Sequence, residues 1–252
     1  MELNAQERLK VGEVIQGEIG PVAHGGHFVA RHNGQVIFVR HGITNELVKI
    51  KITAVSSKIA HGDVIEVLTP VPSRITPPCK YAGSCGGCDF QHINLTMQQD
   101  LKAQIIKEQF LRIGKMDLAE LGFDLKVTPV EPADGMHWRT RMDFAVSPSG
   151  AIGFFGARSN EVVEIKDCLI ADQRMNVGEL ASRSWKSDAR VEVAVSSTNE
   201  ISVMRSGRSI SGPTQIVEQV GGNSFKISPV AFWQRHTAAP VSFVQAARAP
   251  HG

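Results

Sequence analysis

Between residues 10 and 68 apolar and polar positions alternate with a period of two. The runs KVGEVIQGEI, HFVAR, GQVIFVR, ELVKIKITAVS and DVIEVL are rich in β-branched residues. Half-buried strands show this pattern because successive side chains point to opposite faces. Gly20-Pro21, Gly25-Gly26, Asn33-Gly34 and His61-Gly62-Asp63 punctuate the runs, and Asn33-Gly34 marks a two-residue hairpin. Five short strands of this kind predict a small closed all-β barrel, OB-like or SH3-like.

The period then changes. Met97, Leu101, Ile105, Ile106, Phe110 and Ile113 recur at helical spacing. Thr96 with Gln99 predicts a capping box at the start of that helix, and Gly114 predicts its stop. From about residue 124 to 230 strands alternate with turns. WRTRMDFAVS and AIGFFG flank Pro148-Ser149-Gly150, RVEVAVSS and ISVMRS flank Thr198-Asn199-Glu200, and a helix is expected near 172–186. This reads as an α+β region with an antiparallel sheet. The proline-rich run TPVPSRITPP, residues 69–78, is the clearest boundary. The expected division is a barrel over 1–70, an α+β central domain over 71–230, and, over 231–252, either the start of a further domain or an aberrant tail.

Composition adds little. The chain has 252 residues with 27 basic and 25 acidic side chains, a net charge of 27 − 25 = +2, so no global field announces a polyanion. The charge is uneven: residues 131–180 carry 5 basic and 8 acidic groups, whereas 181–252 carry 8 and 4. Nucleic-acid contact must therefore use local patches. On the barrel these are Arg31, Arg40, Lys49, Lys51 and Phe38, which fit a solvated strand face equally well. The N-terminal MELNAQERLKVGEV has no apolar core of a leader, and no stretch approaches the roughly 18 apolar residues of a membrane span. The expectation is a cytoplasmic chain without membrane contact. Oligomeric state is not legible.

The candidate chemistry lies in four cysteines. Cys79, Cys85 and Cys88 sit in PPCKYAGSCGGCDFQH, and Cys168 follows in EIKDCLIAD. A C-x5-C-x2-C triplet with a remote fourth thiol suits an iron–sulfur site, with Gly86-Gly87 allowing a tight turn. Structural zinc more often takes two close-spaced pairs, and here there is one CxxC plus two single cysteines. Disulfides need an oxidising compartment. The spacing favours iron–sulfur over zinc and leaves zinc open.

The barrel, CxxxxxCGGCxxQH, WRxRxxFxV, IGFF…S…V…C and FxISPxxFxQ occur in that order. From about residue 8 to 236 the chain resembles the RNA uridine-5-methyltransferase family, whose members form 5-methyluridine in tRNA or ribosomal RNA using S-adenosylmethionine. The resemblance implies a TRAM-like RNA-binding barrel and a [4Fe–4S] cluster on Cys79, Cys85, Cys88 and Cys168. It places Arg139 and Arg141 near RNA; apart from it they read as two outward residues on a strand. It sets Gln234 against S-adenosylmethionine and Phe232 beside the target base. Where the family continues FxQxN, this chain has Arg235-His236.

The family's chemistry adds a cysteine thiolate to carbon-6 of uracil and removes the carbon-5 proton with a base. With four cysteines assigned to metal, no nucleophile is left. No strand–GxGxxG–helix unit is visible, and RHTAAPVSFVQAARAPHG follows Gln234 with a proline set to break a helix. The sequence therefore leads to the expectation that the α/β methyl-donor domain is absent, that nucleophile and base lie in that missing part, and that this portion is inactive alone. The alternative is a non-catalytic RNA-binding iron–sulfur module working with a separate methyltransferase chain.

Overall fold

A computed structural model describes residues 8–248. The chain forms two compact units: one runs to Pro78 and resumes over Cys88–Thr128, and the other takes Cys79–Gly87 and the chain from Pro129 onward. No helix among the described residues is long and apolar enough to cross a membrane.

In the first unit β1 (Val14–Glu18), β2 (Phe28–His32), β3 (Gln35–Arg40), β4 (Leu47–Val55) and β5 (Ile59–Thr69) lie in the order β1-β4-β5-β3-β2. Only β3 and β5 pair in parallel. The end strands meet where Gly20 N donates to Val29 O at 2.7 Å and Val29 N to Pro21 O at 3.0 Å, so the sheet closes as a barrel. Asn33 and Gly34 both take positive φ, 46° and 79°, the backbone a type I′ hairpin demands. Val48, Ile50 and Ile52 of β4 fill the interior with Ile37 and Val39 of β3.

Helix α1 (Leu95–Arg112) is capped two residues before the expected Thr96. The Met97 amide donates to the Asn94 side chain at 2.9 Å, so Asn94 is the N-cap that satisfies an orphan donor. Leu101 is buried on the barrel core with Met97 and Ile105 beside it. Ile106, Phe110 and Ile113, expected on the same buried face, are exposed.

The second unit is built on six antiparallel strands: β6 (Arg141–Val146), β7 (Ile152–Phe155), β8 (Val162–Glu164), β9 (Arg190–Val195), β10 (Ile201–Arg205) and β11 (Arg208–Ser211). Their order is β11-β10-β9-β6-β7-β8. Met142, Phe144, Val191, Val193 and Val203 line one face, against Met175, Val177, Leu180 and Trp185. The helix expected near 172–186 is shorter. A 3-10 turn over Gln173–Met175 ends at Asn176, in the left-handed region at φ 46°, and α2 covers only Val177–Ser182. A two-stranded ribbon, β12 (Ile216–Val220) and β13 (Asn223–Ile227), follows. Then comes α3 (Ala239–Arg248). Pro240 lies in the first turn of α3, where a missing N–H costs nothing, so it does not break that helix. Residues 249–252 of the expected 231–252 tail lie outside the described residues.

An iron–sulfur loop, expected as an element of the fold, is corrected by the structure. Residues 79–87 fold as successive turns, with Ala82 N bonded to Cys79 O at 3.1 Å and Cys85 N to Tyr81 O at 2.9 Å. They dock beside β7 through Gly86 N to Phe155 O at 3.0 Å. A Cβ on Gly86 would stand 2.6 Å from Phe155 O, so close backbone approach is what requires that glycine. Among the described residues no group of three or more His, Cys, Asp or Glu side chains is arranged to hold a metal ion.

Candidate functional site

The WRTR strand and the segment after β13 are laced together. Thr140 N donates to Arg235 O at 2.7 Å, and Thr237 N to Trp138 O at 2.8 Å. Arg139 pairs with His236 on one side and Ala171 on the other. Trp138 stacks on His236 at 5.4 Å with 13° between planes, and Arg235 Nη2 donates to Asp143 Oδ2 at 2.9 Å. Arg235 and His236, the residues that depart from the FxQxN pattern, are those that fasten this strap. Held at that end, the strap leaves Gln234 half-buried and Phe232 86% exposed. Trp233 turns to the ribbon, 5.7 Å from Phe225.

Arg139 and Arg141 meet different surroundings. Arg139 is half-buried, and its Nε donates to Arg141 O at 3.2 Å. Arg141 is buried, with Nη2 on Glu218 Oε1 at 3.0 Å and Nη1 on Pro229 O at 2.8 Å. Among the described residues its Nε has no hydrogen-bond partner. Burial pushes this guanidinium below its ordinary pKa, and the bond to Glu218 opposes the shift. The side chain locks the ribbon to the sheet.

Cys79, Cys85 and Cys168 all belong to the second unit, whereas Cys88 begins the returning stretch of the first. The two chain stretches bearing the three thiols are tied by Lys166 N donating to Tyr81 Oη at 2.8 Å and by Lys80 with Asp167 at 3.2 Å. Burial pushes the Cys168 thiol up, backbone bonds from Ile170 and Ala171 oppose this, and Cys79 and Cys85 raise it further. Cys79 and Cys85 thus both lie within electrostatic range of Cys168. A bound cation would reverse that effect by favouring thiolates.

On the barrel, Phe38 stacks on His61 at 5.7 Å and 27°, and His27 meets Phe38 edge-on at 6.4 Å. Arg31 and Lys51 are exposed. Arg40 is buried against Asp89 at 2.8 Å, and Lys49 pairs with Glu66 at 2.8 Å. The two imidazoles were not legible in sequence, because His61 reaches Phe38 only through the parallel pairing of β3 with β5.

Residues 8–65 match the TRAM domain. Over 94% of its length the chain is 33% identical to a protein of Streptomyces coelicolor described as an uncharacterized RNA methyltransferase, covering 60% of that protein. A similarly described protein of Streptomyces avermitilis is 32% identical, with 94% of this chain and 63% of that one covered. In fold the chain resembles the Pyrococcus abyssi tRNA (uracil-54, C5)-methyltransferase solved with S-adenosyl-L-homocysteine. The TM-score is 0.61 at 19% identity, over 92% of this chain and 64% of that one. The chain thus spans about 60% of the length of the relatives it matches. These matches correct the expectation of an absent methyl-donor domain. Nearly the whole chain aligns with methyltransferases, and such an alignment carries no statement that anything is missing.

Proposed function

We propose, for a chain that belongs to the RNA uridine-5-methyltransferase family, that it binds tRNA or ribosomal RNA in the cytoplasm and serves methylation of uracil at carbon-5. S-adenosylmethionine supplies the methyl group. The observation that carries this reading is the strap. A phenyl ring 86% exposed on a segment fastened by Arg235 and His236 suits a base taken out of its stack. Arg139, next to the fastened end, is proposed to hold RNA. Gln234, two residues beyond Phe232, is proposed to contact the methyl donor through its amide. The Phe38–His61 platform with Arg31 gives the barrel a stacking surface and a cation for single-stranded RNA.

Transfer of labelled methyl from S-adenosylmethionine to unmodified RNA tests this. Incorporation at carbon-5 of uracil is expected when a chain that supplies the attacking thiolate is present, because the four cysteines here are assigned to metal. Phe232→Ala should slow it by about tenfold, since a stacked base is worth roughly 1–3 kcal/mol, with an unchanged melting temperature. RNA binding without any incorporation would overturn the enzymatic reading.

Cys79, Cys85, Cys88 and Cys168 are proposed as metal ligands, with a [4Fe–4S] cluster as the group the family resemblance implies. Iron and sulfide are expected after anaerobic purification, and Cys88→Ser should lose most of both. Full iron content in that variant would remove the assignment.

A further inference from the structure

Arg205 and Arg208 are directly opposite each other in the β10–β11 hairpin, separated by Ser206 and Gly207, whose φ of 48° and 78° make a tight two-residue turn. Like charges directly opposite in an antiparallel pair repel and destabilise the hairpin. Arg190 stands beside the same turn: Ser206 N donates to Arg190 O at 2.9 Å, and Arg190 N to Ser206 Oγ at 3.3 Å. Arg190 and Arg208 are exposed and Arg205 is half-buried.

Elsewhere arginines of this protein hold carboxylates. Arg40 holds Asp89, Arg74 Glu46, Arg141 Glu218, Arg174 Asp172 and Arg235 Asp143. Among the described residues no side-chain ion pair or hydrogen bond occupies Arg190, Arg205 or Arg208. β11 is an edge strand with all four residues exposed, and a charge such as Arg208 there blunts edge pairing. That does not account for Arg205, which sits on the inner strand β10. A local cost with no internal partner is what a site for an external anion shows.

We propose that this hairpin end binds the phosphate backbone of RNA, a contact separate from the strap and from the barrel. The inference rests on the RNA-binding reading above. Guanidinium groups suit phosphate because their forked donors match its oxygens. The basic excess of residues 181–252 then has a location.

The test compares wild type with Arg205→Gln/Arg208→Gln for binding to an unmodified tRNA transcript across a salt series. The double variant should bind about tenfold more weakly at low salt. Its dependence of log K on log salt should be shallower by about 1.5, the share of two phosphate contacts. Its melting temperature should hold or rise, because a repulsion is removed. Arg205→Lys/Arg208→Lys should recover most of the salt dependence. If wild type binds RNA and the Gln variant keeps its affinity and slope, the hairpin proposal falls while RNA binding stands. Absence of wild-type binding overturns both. A lowered melting temperature without rescue by lysine would mark the arginines as structural and sink the proposal.

Discussion

Glu218→Ala is expected to destabilise the second unit by about 3–5 kcal/mol, the cost of stranding a buried charge. Arg141 and Glu218 pair at 3.0 Å with side chains only 7% and 6% exposed. Glu218 also accepts the Ser197 amide at 2.9 Å. Removing the carboxylate leaves a guanidinium out of water with Pro229 O as its remaining acceptor, and frees an amide that the fold had satisfied. The melting temperature should fall by about 6–20 °C, at roughly 2–4 °C per kcal/mol for a protein of this size. All three tryptophans, Trp138, Trp185 and Trp233, and the single tyrosine, Tyr81, lie in this unit, so intrinsic fluorescence in urea reports it directly. Arg141→Met/Glu218→Met should recover at least half the loss, because neither charge then needs a partner. A Glu218→Ala loss below about 1 kcal/mol, the level of an exposed pair, would show that water reaches Arg141.

The same pair marks where the sequence stops being legible. Arg139 and Arg141 look alike in WRTRMDF, and alternation along a strand should place them together. What separates them is Glu218, 77 residues away, and no local pattern encodes a partner at that distance. The barrel was legible because its signals are local: period-two runs and Asn33-Gly34. The helix start was misplaced because Thr96 and Gln99 form a plausible capping box, while Asn94 two residues earlier holds the Met97 amide. Strand β11 went unread because RSIS carries no apolar alternation. Its signal was Ser206-Gly207, a turn pair closing a two-residue hairpin. For the strap, the motif located Phe232 and Gln234, but the exposure of Phe232 follows from the lacing of Arg235–Thr237 to Trp138–Thr140. The departures from the family pattern thus contribute structure at the place where sequence showed only a mismatch.

The first unit should lose about 3 kcal/mol of stability as pH falls from 6.5 to 4. Burial holds the His92 imidazole down at about 4, against a bond to Gly42 O and with Arg74 and His41 also lowering it. Its Nε2 lies 3.1 Å from Gly42 O, so the neutral ring donates there. His41 meets the ring edge-on at 5.9 Å and is itself lowered, first by burial and then by Arg40. Facing the two rings are Arg40 and Arg74, with Asp63, Asp89 and Glu46 acting in the opposite sense. Above pH 6.5 both folded and unfolded histidines are neutral and nothing is lost. Below it the unfolded chain takes up a proton that the folded one refuses, so each pH unit down to 4 costs about 1.4 kcal/mol. Below 4 the folded ring protonates as well and the loss levels off. This unit holds no tryptophan or tyrosine, so amide hydrogen exchange in β3 and β4 is the measurement. His92→Gln keeps a donor for Gly42 O and removes the titration. Its protection should be nearly flat between pH 6.5 and 4.5, apart from the smaller effect of His41. A wild-type slope in that variant would mean that carboxylates, not the buried imidazole, set the acid limit of the barrel.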